Sequence, residues 1–465
     1  MIIEQIYTSC LAQGAYYIES AGEVAIIDPL REVQEYINKS LQNNAKIKFI
    51  FETHFHADFV SGHVTLAEKT AAKIVYGPTA KTTFNSTIAK DNEIFKIGDI
   101  TITAIHTPGH TMESTCYLLK DENGKDHAIF TGDTLFLGDV GRPDLAQMSS
   151  ITEKDLAGFL FDSLRNKLMP LGNDVIVYPA HGAGSACGKN LSTETIGTIG
   201  NQKETNYALR KDMTKEEFIK EVTDGLMPPP AYFPFNVKLN KQGYKSTDEV
   251  IKKNARPLSV KDFELIANQK EALILDVRHK KEFIKGFIPK AIFIGLEGTF
   301  APWVGALIKD IDQPILLVTP VGEEKNTIMR LSRVGFDNVL GFLEGGFLTW
   351  QNSQKQIDTL ESVSSEFFVQ KTQKIRVNSG SNILFDVRKP GEYKASHIKM
   401  AKSTPLEFLN NHLKDFPKEK PFFVHCASGY RSVIAASILK ARGFHNVKDV
   451  SGGYEALATT SIERT

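Results

Sequence analysis

Residues 53–63 read THFHADFVSGH. His54 and His56 flank Phe55, Asp58 follows, and Phe59 stands beside that aspartate. The first part has the donors to hold a metal, and an apolar ring ends it. His54 and His56 can both approach one centre only where the strand carrying them has broken into a turn, which Ala57, Asp58 and Gly62 suit. A lone histidine near a strand end is ordinarily a hydrogen-bonded loop residue. The reading therefore rests on what else the chain delivers in the same manner.

Three more segments do so. ITITAIHTPGH (100–110), HAIFTGDTLF (127–136) and DVIVYPAHG (174–182) each begin as an apolar, β-branched or aromatic run and end in polar residues, as does KFIFETHFH (48–56). Each reads as a buried strand whose C-terminal mouth presents His or Asp. His54, His56 and Asp58, then His110, Asp133 and His181 form an ordered set that predicts a metal site. Helical segments such as ITEKDLAGFLFDSLRNKLM (151–169) lie between, and a helix in TKEEFIKEVTDGLM stops at prolines 228–230.

The chain has 465 residues, enough for about three domains. Lys plus Arg and Asp plus Glu both number 55, so no net field recruits nucleic acid or an acidic membrane. We see no secretory signal and no apolar run long enough to span a bilayer, which predicts a cytoplasmic location. Cys10, Cys116, Cys187 and Cys426 are too few and too scattered for a disulfide framework. A homo-oligomer stays open.

Beyond about residue 255 the chain repeats itself. LILDVRHKKEF (273–283) returns as LFDVRKPGEY (384–393), and VGFDNVLGFLEGGF (334–347) as RGFHNVKDVSGGY (442–454). Asp276 to Asp386 and Gly345 to Gly452 are offsets of 110 and 107 residues, so the two copies differ by small loop deletions. The expected domains are 1–245, 246–358 and 359–465, with LESVSSEFF (360–368) as the linker between the copies.

In the second copy, PFFVHC (421–426) is a buried strand stopping at Cys426, and ASGYR leads into SVIAASILKARGF, read as an amphipathic helix. A cysteine feeding a helix N-terminus meets unpaired N–H groups and the helix dipole, and with Arg431 this favours a thiolate nucleophile. In the first copy the matching strand is PILLVTPVGEEKNT (314–327). Val318 or Thr319 stands where the cysteine would be, and Glu323 and Glu324 replace the cationic end of the loop. That copy carries no nucleophile and is read as a docking or packing domain.

The first set of motifs resembles the metallo-β-lactamase superfamily, which implies an αββα sandwich with the metal site at one edge. Its dinuclear zinc hydrolases, the glyoxalase II thioesterases included, carry H-x-H-x-D-H; Phe59 replaces the final histidine, so the second metal position is expected to be dismantled. TPGHT, TGDTLF and GDVGRPD look like the persulfide dioxygenase branch, which Phe59 matches in part. That resemblance implies one Fe(II) per chain on His54, His110 and Asp133, a set that leaves open positions for substrate and O₂. His56, Asp58 and His181 become residues that orient the ligands or contact substrate. Arg142 could meet an anionic substrate or form a loop salt bridge. Cys187 could contact a persulfide or be passive.

The repeats, with DVR, EY, SHI and SGGY, resemble rhodanese sulfurtransferases, which implies Cys426 as persulfide carrier and Arg431 as a binding residue. The competing cysteine phosphatase loop is C-x₅-R; here it is C-x₄-R, tighter and better suited to one sulfur. The whole then implies an α/β multidomain protein that oxidises a low-molecular-weight thiol persulfide with O₂ and exchanges sulfur between sulfite and thiosulfate. The alternatives are a thioester hydrolase fused to a sulfurtransferase, and a binding scaffold without turnover.

Overall fold

The structure, a computed structural model, describes residues 1–145, 150–375 and 383–465. It divides into two compact units, Met1–Val250 with Ser332–Gly335, and Ile251–Leu331 with Phe336–Thr465.

The first unit holds two six-stranded sheets. One runs in sequence order through Ile2–Thr8, Gln13–Ser20, Glu23–Ile27, Lys46–Phe51, Lys73–Tyr76 and Thr87–Ile88. The other runs Gly197–Thr198, Ile176–Pro179, Asp126–Gly132, Thr115–Lys120, Ile100–His106 and Ile94–Ile97. The strand period of two explains the layering. Tyr16, Ile18, Ile27 and Phe51 meet Ile102, Tyr117, Leu119 and Phe130 between the sheets. Their sequence neighbours Tyr17, Ile26 and Ile50 face outward onto Tyr36 and Leu66 of the helices Gln34–Gln42 and His63–Thr70. On the other side Cys116, Leu118 and Ile129 meet Leu160 and Phe218 of the helices Glu153–Ser163 and Lys215–Thr223. Strands buried on both faces read as continuous apolar runs, which is why the four motif strands were legible. Each fully buried large side chain here contributes about 1.5–3 kcal/mol. The result is the expected αββα sandwich.

The second unit holds two five-stranded parallel sheets of one topology. The strands are Pro257–Leu258, Val339–Leu343, Ile315–Val318, Leu273–Asp276, Ile292–Phe293, and then Ser362–Val363, Val447–Val450, Phe422–His425, Leu384–Asp386, Ala401–Ser403. The repeat is thus structural. Two local expectations fail. The supposed linker 360–368 is the edge strand Ser362–Val363, paired parallel to Val447–Val450, and the start of the helix Ser365–Ile375. The helix Arg431–Ala441 is not amphipathic: Ser432–Lys440 are all buried, because the helix also packs on the first copy's strand Ile292–Phe293.

Candidate active sites

The strand Lys46–Phe51 stops before the histidines, and 53–60 turn through bends over the sandwich edge. Asn240, from the helix Phe233–Gln242, fastens that turn. Its amide donates to the carbonyls of His56 and Phe59 (2.8 and 2.9 Å), and its Oδ1 accepts from Ser61 N–H (2.9 Å).

His54, His110 and Asp133 come together, each buried, with one potential ligand atom apiece within 4.8 Å of the others. Asp133 Oδ2 lies 3.8 Å from His54 Nε2 and 3.4 Å from His110 Nε2, and it is buried without a hydrogen bond. Hydrogen bonds on the far sides of the rings set their tautomers. His110 Nδ1 lies 2.9 Å from the Arg142 carbonyl, which can only accept, so Nδ1 carries the proton. Thr53 Oγ1 donates to Asp28 Oδ2 (2.8 Å) and therefore accepts from His54 Nδ1 (2.9 Å). Both Nε2 atoms turn lone pairs toward the orphaned carboxylate oxygen. Burial and the neighbouring His56 hold the His54 pKa well below its ordinary value, so that ring stays neutral. Two imidazoles, each with Nε2 toward the carboxylate, and an ionised Asp133, each oriented from behind, fit a divalent metal.

His56, Asp58 and His181 form a second buried group within the same 4.8 Å limit, so Phe59 has not scattered the second set. The expectation of a dismantled second position is corrected to this extent: one ligand is lost, and three remain gathered. Phe59 lies against His56, ring centroids 4.4 Å apart. His56 Nε2 faces Asp28 Oδ1 at 3.1 Å. His181 bridges two carboxylates, Nδ1 to Asp133 Oδ1 at 2.7 Å and Nε2 to Asp58 Oδ2 at 2.8 Å. Burial opposes its charge, but Asp133 and Asp58 outweigh burial and push its pKa well above the usual histidine range. Burial likewise opposes the Asp133 charge, and His181 with His54 reverses it, holding that carboxyl ionised.

Cys187 does enter this site, grouped with Asp133 and His181. Burial, then the Asp58 and Asp133 charges, push its thiol well above the ordinary range. It is a protonated neighbour rather than a thiolate. Arg142 offers the ligands its main chain. Its guanidinium is held by Asp144 (2.6 Å, twice) and by the carbonyls of Ala186 (3.3 Å) and Met227 (2.5 Å). The loop salt bridge, not an anion contact, is what the geometry gives.

Asp28, Thr53, Asn240 and Tyr232 were missed in the sequence. For Asp28 a signal existed, since EVAIIDP is another apolar strand ending in an acid. For Tyr232, whose hydroxyl is pushed well up by burial and then by the Asp58 charge, there was none.

Gly141 makes a sharp prediction. A Cβ there would stand 2.0 Å from the Asp133 carbonyl and 2.9 Å from His110 Nδ1. Gly141→Ala is expected to displace both ligands and lower metal affinity by about 10–100-fold, read by metal content after dialysis against a chelator.

In the second unit, Cys426 is 1% exposed and its Sγ accepts from Gly429 N–H at 3.1 Å. Gly453 (φ +57°) allows the following loop to close on it, since a Cβ would lie 2.4 Å from the Cys426 carbonyl. Arg431 is paired bidentate with Glu392 (2.6 and 2.8 Å), so much of its charge is compensated. In the first copy Thr319 follows the strand Ile315–Val318 as Cys426 follows Phe422–His425, which settles the choice between Val318 and Thr319. There Gly322 N–H turns to the Glu324 carboxylate (3.1 Å), so the loop binds its own anion.

The metallo-β-lactamase superfamily model matches residues 10–181, and the rhodanese-like domain model matches 259–353 and 370–460. A probable hydroxyacylglutathione hydrolase of Schizosaccharomyces pombe is 32% identical over 166 residues, 35% of this chain and 60% of the relative. The cytoplasmic hydroxyacylglutathione hydrolase of Arabidopsis thaliana is 34% identical over 141 residues, 29% and 54% respectively. The chain thus spans 54–60% of these relatives' lengths. The crystal structure of a metallo-β-lactamase from Staphylococcus aureus superposes with TM-score 0.64 at 29% identity, covering 74% of this chain and 98% of that one. Among the described residues no helix is long and apolar enough to cross a membrane. The chain carries a metallo-β-lactamase superfamily domain followed by two rhodanese-like domains, of which the second alone has the cysteine.

Proposed function

We propose that the protein is a persulfide dioxygenase joined to a sulfurtransferase. The observation that carries this reading is the gathered set His54, His110 and Asp133, with both Nε2 atoms facing the unbonded Asp133 Oδ2, beside a second group whose His56 is covered by the apolar ring of Phe59. Those three residues would hold one Fe(II), which supplies the redox chemistry with O₂ that zinc lacks. The chain's own residues do the rest. Thr53 and the Arg142 carbonyl fix the ligand tautomers, Asp133 stays ionised, and His181 presents a bound proton between Asp133 and Asp58. Buried Phe59 and Tyr232 help exclude water. Overall, a thiol persulfide, O₂ and water give a thiol and sulfite. At the other site, sulfite attacks the outer sulfur of a Cys426 persulfide; the S–S bond breaks, thiosulfate leaves, and Cys426 keeps the electron pair as thiolate. The reverse direction loads Cys426 from thiosulfate.

The test is O₂ uptake with glutathione persulfide, alongside metal analysis. Uptake that needs iron at one ion per chain is expected; its absence in iron-reconstituted protein would sink the reading. The gathered His56, Asp58 and His181, with the hydroxyacylglutathione hydrolases among the relatives, favour a second reading as a dinuclear thioester hydrolase. Phe59→His separates the two. It is expected to raise metal content from about one to about two ions per chain. Two ions already in the wild type, with thioester hydrolysis, would establish the hydrolase.

A further inference from the structure

The cysteine-lacking domain touches the loop of the cysteine-bearing one at two points. Lys280 Nζ donates to the Ser428 carbonyl at 2.9 Å and would lie 3.3 Å from a Cβ on Gly429. Tyr430 O–H donates to the Gly295 carbonyl at 2.6 Å, and a Cβ on Gly298 would stand 2.4 Å from its ring. Ser428 C=O and Gly429 N–H belong to one peptide group, and that N–H is the donor to Cys426 Sγ at 3.1 Å. A cation on the oxygen fixes the plane of the amide and draws electron density from its nitrogen, which strengthens the N–H toward an anion.

We infer that the cysteine-lacking domain completes the Cys426 site, Lys280 acting as a positioning residue that orients and polarises the Gly429 N–H holding the cysteine sulfur. This gives that domain a chemical role beyond packing. It also supplies a cation to the Cys426 loop where Glu392 compensates Arg431. The inference rests on the reading of Cys426 as a sulfur carrier. Around Cys426 the other charged groups are the Arg431–Glu392 pair with Glu407 and Lys389 beyond it, His425 beside Asp386, the Asp386–Arg388 pair, and Asp449 bonded to Ser432 and Ser362. Of these, none bonds the Ser428 carbonyl.

The experiment follows iodoacetamide alkylation of the Cys426 peptide by mass spectrometry across pH in the full chain. Lys280→Gln is expected to slow alkylation at neutral pH by about tenfold and move its midpoint upward, whereas Lys280→Arg keeps both within about threefold of wild type. Gly298→Ala, which pushes Tyr430 and leaves the cation in place, is expected to slow alkylation without rescue by Lys280→Arg. Lys280→Gln indistinguishable from wild type across pH, or Lys280→Arg as impaired as Lys280→Gln, would overturn the inference. Persulfide formation at Cys426 from thiosulfate, seen as a mass gain of one sulfur atom, is scored separately. Its absence in the wild type would refute the carrier reading, while the alkylation profiles would still report on Lys280.

Discussion

Asp133→Asn is expected to remove the bound metal and abolish the O₂ uptake proposed for this site while leaving the sulfur transfer proposed for Cys426 intact. Asp133 Oδ2 is buried, unbonded, and faced by the Nε2 lone pairs of His54 and His110. An asparagine there offers a neutral carbonyl or an amide N–H, and the latter would pair with the histidine nitrogens and close the site. Loss of a direct ligand exceeds the 10–100-fold penalty of a supporting residue, so metal affinity should fall by more than about a hundredfold. The substitution also leaves His181 with Asp58 as its one carboxylate partner, which weakens its hold on the second proton. Metal content, O₂ uptake and thiosulfate:cyanide sulfur transfer, measured on one preparation, check all three parts. Retained iron at one ion per chain would show that the ligand set is wrong.

Cys426→Ser carries the other large effect. Serine keeps the shape of the loop and the Gly429 N–H, but its hydroxyl neither ionises near neutral pH nor carries sulfane sulfur. Sulfur transfer is expected to fall by at least about 10⁴-fold, with O₂ uptake unchanged. The middle domain cannot substitute, because Thr319 occupies the corresponding position and Glu324 already fills its loop amide. Residual transfer in Cys426→Ser would point to another of the three remaining cysteines, Cys187 first among them because it lies with Asp133 and His181.

The two halves of the chain differ in how far their sites could be read. At the metal site the ligands stood at the ends of apolar strands, so their kind and order were visible. What surrounds them was not. Asn240 fastens a turn 181 residues away in sequence, and Thr53 acquires its role by bonding Asp28. Arg142 and Arg431 illustrate the converse: both were conspicuous cations beside expected chemistry, and both turn out to be engaged by nearby carboxylates, Asp144 and Glu392. The helix Arg431–Ala441 was misread because its second buried face packs against a different copy of the repeat.

The resemblance its motifs carry implied the αββα sandwich; the sequence by itself determined the duplicated α/β module, the donors at the strand mouths, and which copy has a cysteine. These follow from local periodicity and residue type, which a chain carries wherever it folds. Tertiary structure alone decided which nitrogen of each histidine is free and that His56, Asp58 and His181 stay gathered beside Phe59. It also decided that Lys280 reaches the Cys426 loop. Each of these depends on whether a polar group finds its partner far along the chain, and a buried polar group takes its chemistry from that partner.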